Sequence, residues 1–276
     1  MFKIIEKKFD CGRRFCELVS AHGKEQQQNT TMKKTLLIAA AALAAGIMTS
    51  QAQVYSQNIV GYVNKPAPVG YVNVANPFDA GLNTLTNIID NSAGAWNYTL
   101  VYRYTGTGFE TYTMDNAFPT GVGDPTDSFG VPSPIFAPGS AFFFFNNTGA
   151  SNTLTMVGTV HKDGTGAGTV GLTTNVLASG SRFIGSVLPV GGNLGTTLQL
   201  TNSGTSIDYT LIQIPVINGV GNITGFSTVT VDSGFPPTGF GDATDSFAVP
   251  EPVIPVASGF FFNNNTGSPK QWTQAL

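Results

Sequence analysis

The residues best suited to chemistry sit in two short acidic segments. Gly123-Asp124-Pro125-Thr126-Asp127-Ser128-Phe129 returns as Gly241-Asp242-Ala243-Thr244-Asp245-Ser246-Phe247. Two carboxylates three residues apart, beside hydroxyls and loop carbonyls, suit a hard cation such as calcium. The same spacing suits a turn in which Asp and Ser side chains hold backbone N–H groups ahead of the Val-Pro segment. On the first reading Asp124, Asp127, Asp242 and Asp245 are calcium ligands; on the second they are structural. A glycosidase would need one carboxyl with a raised pKa and one ionised, roughly 5–9 Å apart. Nothing in the neighbouring sequence desolvates one of these aspartates selectively, and their duplication favours structure.

A second group of candidates is aromatic. Trp96, Tyr102, Tyr104 and Tyr112 could stack on carbohydrate rings, with Asn and Asp binding hydroxyls. Their alternation is also what core positions of strands require. Other chemistry is poorly served. His161 is the one histidine after residue 53, so a Ser-His-Asp arrangement would have to use a turn residue. The same stretch has no cysteine, which leaves zinc short of ligands. Gly-x-Ser-x-Gly and phosphate-loop patterns are absent from it. The expectation is a protein that is not an enzyme and holds no cofactor other than calcium.

The elements that carry these residues come in two copies. The acidic segments run on through Val131-Pro132-x-Pro134 and Val249-Pro250-x-Pro252 to phenylalanine runs, Phe142 to Phe145 and Phe260 to Phe262. Each copy closes on Asn-Asn-Thr-Gly, at Asn146 and at Asn264. Upstream, Thr107-Gly108-Phe109 matches Thr224-Gly225-Phe226, and Tyr98-Thr99-Leu100 matches Tyr209-Thr210-Leu211. Tyr71 to Pro77 lines up with Phe183 to Pro189, and Val60-Gly61 with Val170-Gly171. The copies are placed at 53–160 and 161–276, joined by the turn-rich run His161 to Gly168.

The local pattern is β. Tyr98, Leu100, Tyr102 and Tyr104 alternate with Thr99, Val101 and Arg103; Leu154, Met156 and Val160 are evenly spaced. Period two with β-branched and aromatic enrichment predicts strands with one buried face. One short helix per copy is allowed: Leu82, Leu85, Ile88 and Ile89 have helical spacing, while Leu194, Leu198 and Leu200 fit less well. Phe142 to Phe145 is apolar on both faces, which predicts a central strand covered on both sides. Its second cover is either a helix or loop, or else the sister copy or another molecule. The fold expected is all-β: two tandem, homologous, β-sandwich-like modules, able to pack against one another in pseudo-two-fold symmetry.

The order Val60-Gly61-Tyr62-Val63, Ala75-Asn76-Pro77-Phe78, Tyr102-Arg103-Tyr104-x-Gly106-x-Gly108-Phe109 and Pro138-Gly139-x-Ala141-Phe142-Phe143-Phe144 resembles an uncharacterised family of exported bacterial proteins with tandem β modules. The signature covers nearly all of the chain from residue 53 to Trp272. In the second copy Pro189 follows Leu188 rather than Asn, and Val256-Ala257 replaces Pro-Gly. The resemblance implies a secreted β module and brings no catalytic residue with it.

Export is expected from the sequence itself. Met32-Lys33-Lys34, the apolar run from Leu36 to Ala45, and Ser50-Gln51-Ala52 have the form of a signal peptide over 32–52, cleaved after Ala52. Residues 1–31, with Cys11 and Cys16, read as an upstream leader, with Met32 as the start. From Gln53 onward five bases face twelve acids, a formal balance of −7. That argues against nucleic acid as a partner. The function expected is an exported, non-catalytic surface or extracellular structural protein, secreted and without a membrane span. It acts through protein partners or self-association at strand edges. A carbohydrate-binding module is the alternative, with a hydrolase third.

Overall fold

Alternating β-branched and aromatic residues, broken every few positions by Gly, Pro, Asn and Asp, fold into short antiparallel strands. The computed structural model describes residues 60–126, 129–160, 173–200, 207–235, 238–244 and 247–275. The expected signal peptide and leader, the joining run from His161, and Asp127 and Asp245 lie outside these. The first part runs β1 (Val60–Ala67), β2 (Gly70–Ala75), β3 (Phe78–Asp79), α1 (Leu85–Ile88), β4 (Thr99–Tyr104), β5 (Phe109–Met114), β6 (Val122–Gly123), β7 (Ala141–Asn146) and β8 (Asn152–Val160). The second runs β9 (Thr173–Leu177), β10 (Gly180–Gly185), β11 (Gly192–Asn193), β12 (Thr210–Ile217), β13 (Ile223–Val231), β14 (Phe240–Asp242), β15 (Val253–Ile254), β16 (Gly259–Asn264) and β17 (Lys270–Gln274). The fold is all-β with one short helix among the described residues.

Five sheets result. The largest two have the orders β2-β7-β4-β5-β6 and β10-β16-β12-β13-β14; the others are β1-β8-β3, β17-β9 and β11-β15. Both five-stranded sheets thus run through their strands in one sequence. Their registers fix which residues correspond. Gly70 pairs with Asn146 and Gly180 with Asn264, so Tyr71 corresponds to Ser181. The sequence match of Tyr71 with Phe183 is therefore displaced by two residues. A slip of two keeps every side chain on its face, so apolar periodicity cannot detect it. A side-chain turn supports the corrected register. Asn76 Oδ1 accepts from Phe78 N at 3.1 Å, and Ser186 Oγ accepts from Leu188 N at 3.0 Å.

Three apolar clusters hold the described residues together. In the first, Val72, Val74, Val101, Phe142 and Phe144 of the five-stranded sheet meet Val63, Leu154 and Met156 of the β1-β8-β3 sheet, with Leu85 and Ile88 of α1. In the second, Ile212, Phe260 and Phe262 meet Leu177, Trp272, Leu194, Leu198 and Leu200. Trp272 is fully buried and its indole N–H donates to Leu198 O at 2.7 Å. The three leucines are buried without an α-helix, whereas α1 forms a single turn and leaves Leu82 exposed. A helix face is thus present in the first part only, among the described residues.

The third cluster joins the two parts. Ala75, Ala141 and Phe143 pack on Phe183 and Phe261. The second part of the chain is therefore the second cover of the phenylalanine run: Phe142 and Phe144 enter the first cluster, and Phe143 enters the seam. Phe183 stacks on Phe261 with centroids 4.4 Å apart and lies 4.7 Å from Phe143. Backbone contacts across the seam are reciprocal. Ala75 N donates to Ala257 O at 2.9 Å, and Gly185 N to Gly139 O at 2.9 Å. Gly139 and Ala257 correspond, and both have left-handed φ, 81° and 51°. A side chain at Gly185 would collide with Ala75 and lie 2.8 Å from Ser258 O, so the sheets approach closely only because that position is Gly.

Candidate functional site

The acidic segments are tight turns. Asp124 Oδ1 accepts from Thr126 N at 2.7 Å and from Thr126 Oγ1 at 2.5 Å; Asp242 Oδ1 accepts from Thr244 with the same two distances. Each turn is closed at its base, where Asp124 N donates to Phe129 O at 2.9 Å and Asp242 N to Phe247 O at 2.8 Å. The backbone N–H groups are held by the carboxylates, which is the turn chemistry the Asp-x-Thr spacing allows. The second carboxylate of each expected calcium pair, Asp127 and Asp245, lies outside the described residues.

The four expected stacking rings do not share a surface. Trp96 is buried and meets Phe144 edge-on, with centroids 5.1 Å apart. Its faces are taken by the core, which corrects its assignment to a carbohydrate platform. Tyr102 and Tyr104 turn the other way, into the seam. Tyr102 lies 5.7 Å from Tyr71, and Tyr104 lies 5.2 Å from Phe261 and 5.3 Å from Phe109. Desolvation, then the hydrogen bond and charge of Tyr71, push the Tyr102 phenol up to about 12. Tyr112 packs beside the first core, under the Arg103 guanidinium at 5.9 Å, and its hydroxyl donates to Glu110 Oε2 at 2.8 Å. Burial raises its pKa. The Tyr112 bond and Arg103, 2.5 Å away, hold the Glu110 carboxyl below its ordinary range.

The alternation of β4 explains the difference. Thr99 and Val101 are its fully buried residues, facing the first core, so the tyrosines lie on the opposite face. That face is covered in turn by the second part of the chain. Tyr102 and Tyr104 are half-buried there, packed against the seam cluster.

Four of the most exposed rings are elsewhere and form corresponding pairs. Tyr98 is 66% exposed and Tyr209 71%; Phe129 is 70% exposed and Phe247 73%. The tyrosines occupy the third position of tight turns, where Thr99 N donates to Trp96 O at 3.1 Å and Thr210 N to Ile207 O at 3.2 Å. Each is pinned by its own N–H, Tyr98 to Met114 O at 2.8 Å and Tyr209 to Val231 O at 2.7 Å. Their φ values are 66° and 65°, a left-handed conformation that costs a bulky residue about 1–3 kcal/mol. The phenylalanines close the acidic turns. The sequence carried one signal for both pairs, an aromatic recurring beside turn residues in Tyr-Thr-Leu and in Asp-Ser-Phe; it carried none for the left-handed backbone of the tyrosines.

No helix among the described residues is long and apolar enough to cross a membrane. Comparison of the chain with family models, with curated proteins and with solved structures gives no match.

Proposed function

We infer that the protein is exported and serves as a non-catalytic surface or extracellular structural component, binding other proteins or further copies of itself. The observation that carries this reading is the duplicated set of exposed aromatics, Tyr98 with Tyr209 and Phe129 with Phe247. A large ring held in solvent loses the free energy of burial until a partner covers it, and aromatics are the usual anchors of protein contacts. Two copies on one chain make the contact bivalent, so modest single affinities combine. Strand edges add a second means of joining. β1 is an eight-residue edge strand with Val60 and Tyr62 exposed, and β9 is an edge strand with Val176 exposed. Scarce charge, 11% of residues, leaves little repulsion between molecules.

Size-exclusion chromatography and negative-stain microscopy test this. Concentration-dependent oligomers or polymers are expected; a monomer at every concentration, together with failure to retain any surface protein, rejects it. A carbohydrate-binding module is the second reading, favoured by the fixed, outward Tyr98 and Tyr209 rings, whose turn geometry resembles a stacking surface held ready. A glycan array with no binder removes it.

A further inference from the structure

The strand β1 places a lysine where its pattern calls for an apolar residue. Val63 and Ala67 point into the first core, and Lys65 lies between them on the same side. Its ammonium donates to Ser258 Oγ at 2.6 Å and to Val256 O at 3.5 Å, both on the far side of the seam. Among the described residues it has no carboxylate partner, and one of its three donors has no acceptor. Desolvation alone lowers the amine from 10.5 to about 8. A partly desolvated cation without a counter-ion is costly, and the fold tolerates it here beside a cavity.

That cavity has a volume of about 380 Å³ and is lined by Lys65, Tyr71, Asn73, Ile214, Pro215 and Ser258, among others. One end offers the Lys65 ammonium and the Ser258 hydroxyl, beside an Asn73 amide already bonded through both its N and its O to the Gly259 backbone; the walls are proline and isoleucine. Its size is that of small-molecule sites, and its make-up is that of a site for an anion on an apolar body. The corresponding cavity across the seam, about 450 Å³, supplies a contrast. There Asn175 stands five residues before Gly180, as Lys65 stands five before Gly70, and Arg103 and Arg182 take the register places of Ile214 and Val72. Arg103 is already paired with Glu110, and Arg182 is exposed to solvent. Three of the five bases after Gln53 thus line these two cavities, in a chain with a formal balance of −7 from that point.

We propose that the Lys65 cavity binds a small carboxylate carried on an apolar body, with the Lys65 ammonium and Ser258 hydroxyl holding the carboxylate and the Ile214-Pro215 wall holding the body. The ligand is either a free short-chain acid or the terminal carboxylate of a peptide ending in an apolar residue. Tyr71 is the other titratable side chain lining the cavity, and no Asp or Glu lines it.

Calorimetric titration of the full chain with hexanoate, hexanol, N-acetyl-leucine and N-acetyl-leucinamide tests the site. At neutral pH each carboxylate is expected to bind at least about tenfold more tightly than its neutral analogue. Tighter binding of hexanoate marks a free acid as the source, and of N-acetyl-leucine a peptide terminus. Because the site needs the protonated amine, affinity falls at least about tenfold as the pH rises from neutrality to well above about 8. Lys65→Met abolishes binding, and Ser258→Ala weakens it while leaving the charge in place. Equal binding of hexanol and hexanoate, an affinity indifferent to this pH change in the unmodified protein, or no heat at millimolar ligand overturns the proposal.

Discussion

Thr99 and Thr210 begin corresponding strands and are both fully buried, yet their hydroxyls differ. Thr210 Oγ1 donates to Ile207 O at 2.7 Å, whereas Thr99 Oγ1 has no partner. A buried hydroxyl without a bond is a desolvation cost with nothing to offset it. Thr99→Val is therefore expected to raise unfolding free energy by about 1 kcal/mol, and Thr210→Val to lower it by about as much. Urea denaturation of the two variants measures both. Tyr98 and Tyr209 allow a related prediction. Asn tolerates left-handed φ better than Tyr, so Tyr98→Asn and Tyr209→Asn should keep stability within about 0.5 kcal/mol of the parent. Binding, where these rings make the contact, should fall. At this scale the sequence was legible in part. Asp124 and Asp242 could be read as turn-formers from Asp-x-Thr alone. The left-handed tyrosines could not, because their backbone is set by Met114 and Val231 on the neighbouring strands.

Among the elements, β7 and β16 carry most of the information. The sequence showed that Phe142 to Phe145 must be covered twice, because consecutive apolar residues point to opposite faces. It did not show by what. Only the pairing of Gly185 against Ala75 and of Gly259 against Ala141 lets the two sheets approach, and both contacts join residues far apart in the chain. For the same reason the aromatic face of β4 was legible as buried but not as belonging to the seam. Gly185→Val tests the element-level account. Its side chain has no room, and forcing the sheets apart should cost about 1–3 kcal/mol. Loss of stability in that variant, with the near-ultraviolet signal of the seam aromatics altered, is the expected result. Phe261→Ala should cost more, about 3–5 kcal/mol, since it empties the centre of the same cluster.

For the whole molecule, charge is scarce and its few buried titrations stand out. Lys65 is lowered from 10.5 to about 8, so the unfolded chain keeps its proton over a range where the folded chain has lost it. Stability from this group therefore rises with pH from about 8 to about 10.5. Tyr102 is raised from 10.0 to about 12, so its contribution is present below about 10 and is lost as the pH rises through 12. Melting temperature followed across this range should climb and then fall. Lys65→Met should remove the climb and leave the fall, and should be more stable than the parent at neutral pH. The same scarcity of charge underlies the proposed role, because a surface of Thr, Asn, Ser and Gly with duplicated aromatics has little to keep copies apart. The measurement that bears most directly on that role is sedimentation equilibrium over a wide concentration series. It compares the protein with a variant carrying Tyr98→Asn, Phe129→Ser, Tyr209→Asn and Phe247→Ser together. Association that grows with concentration in the parent and is absent from the variant is the predicted result. Association undiminished in the variant would contradict it, as would two monomers neither of which retains a surface protein.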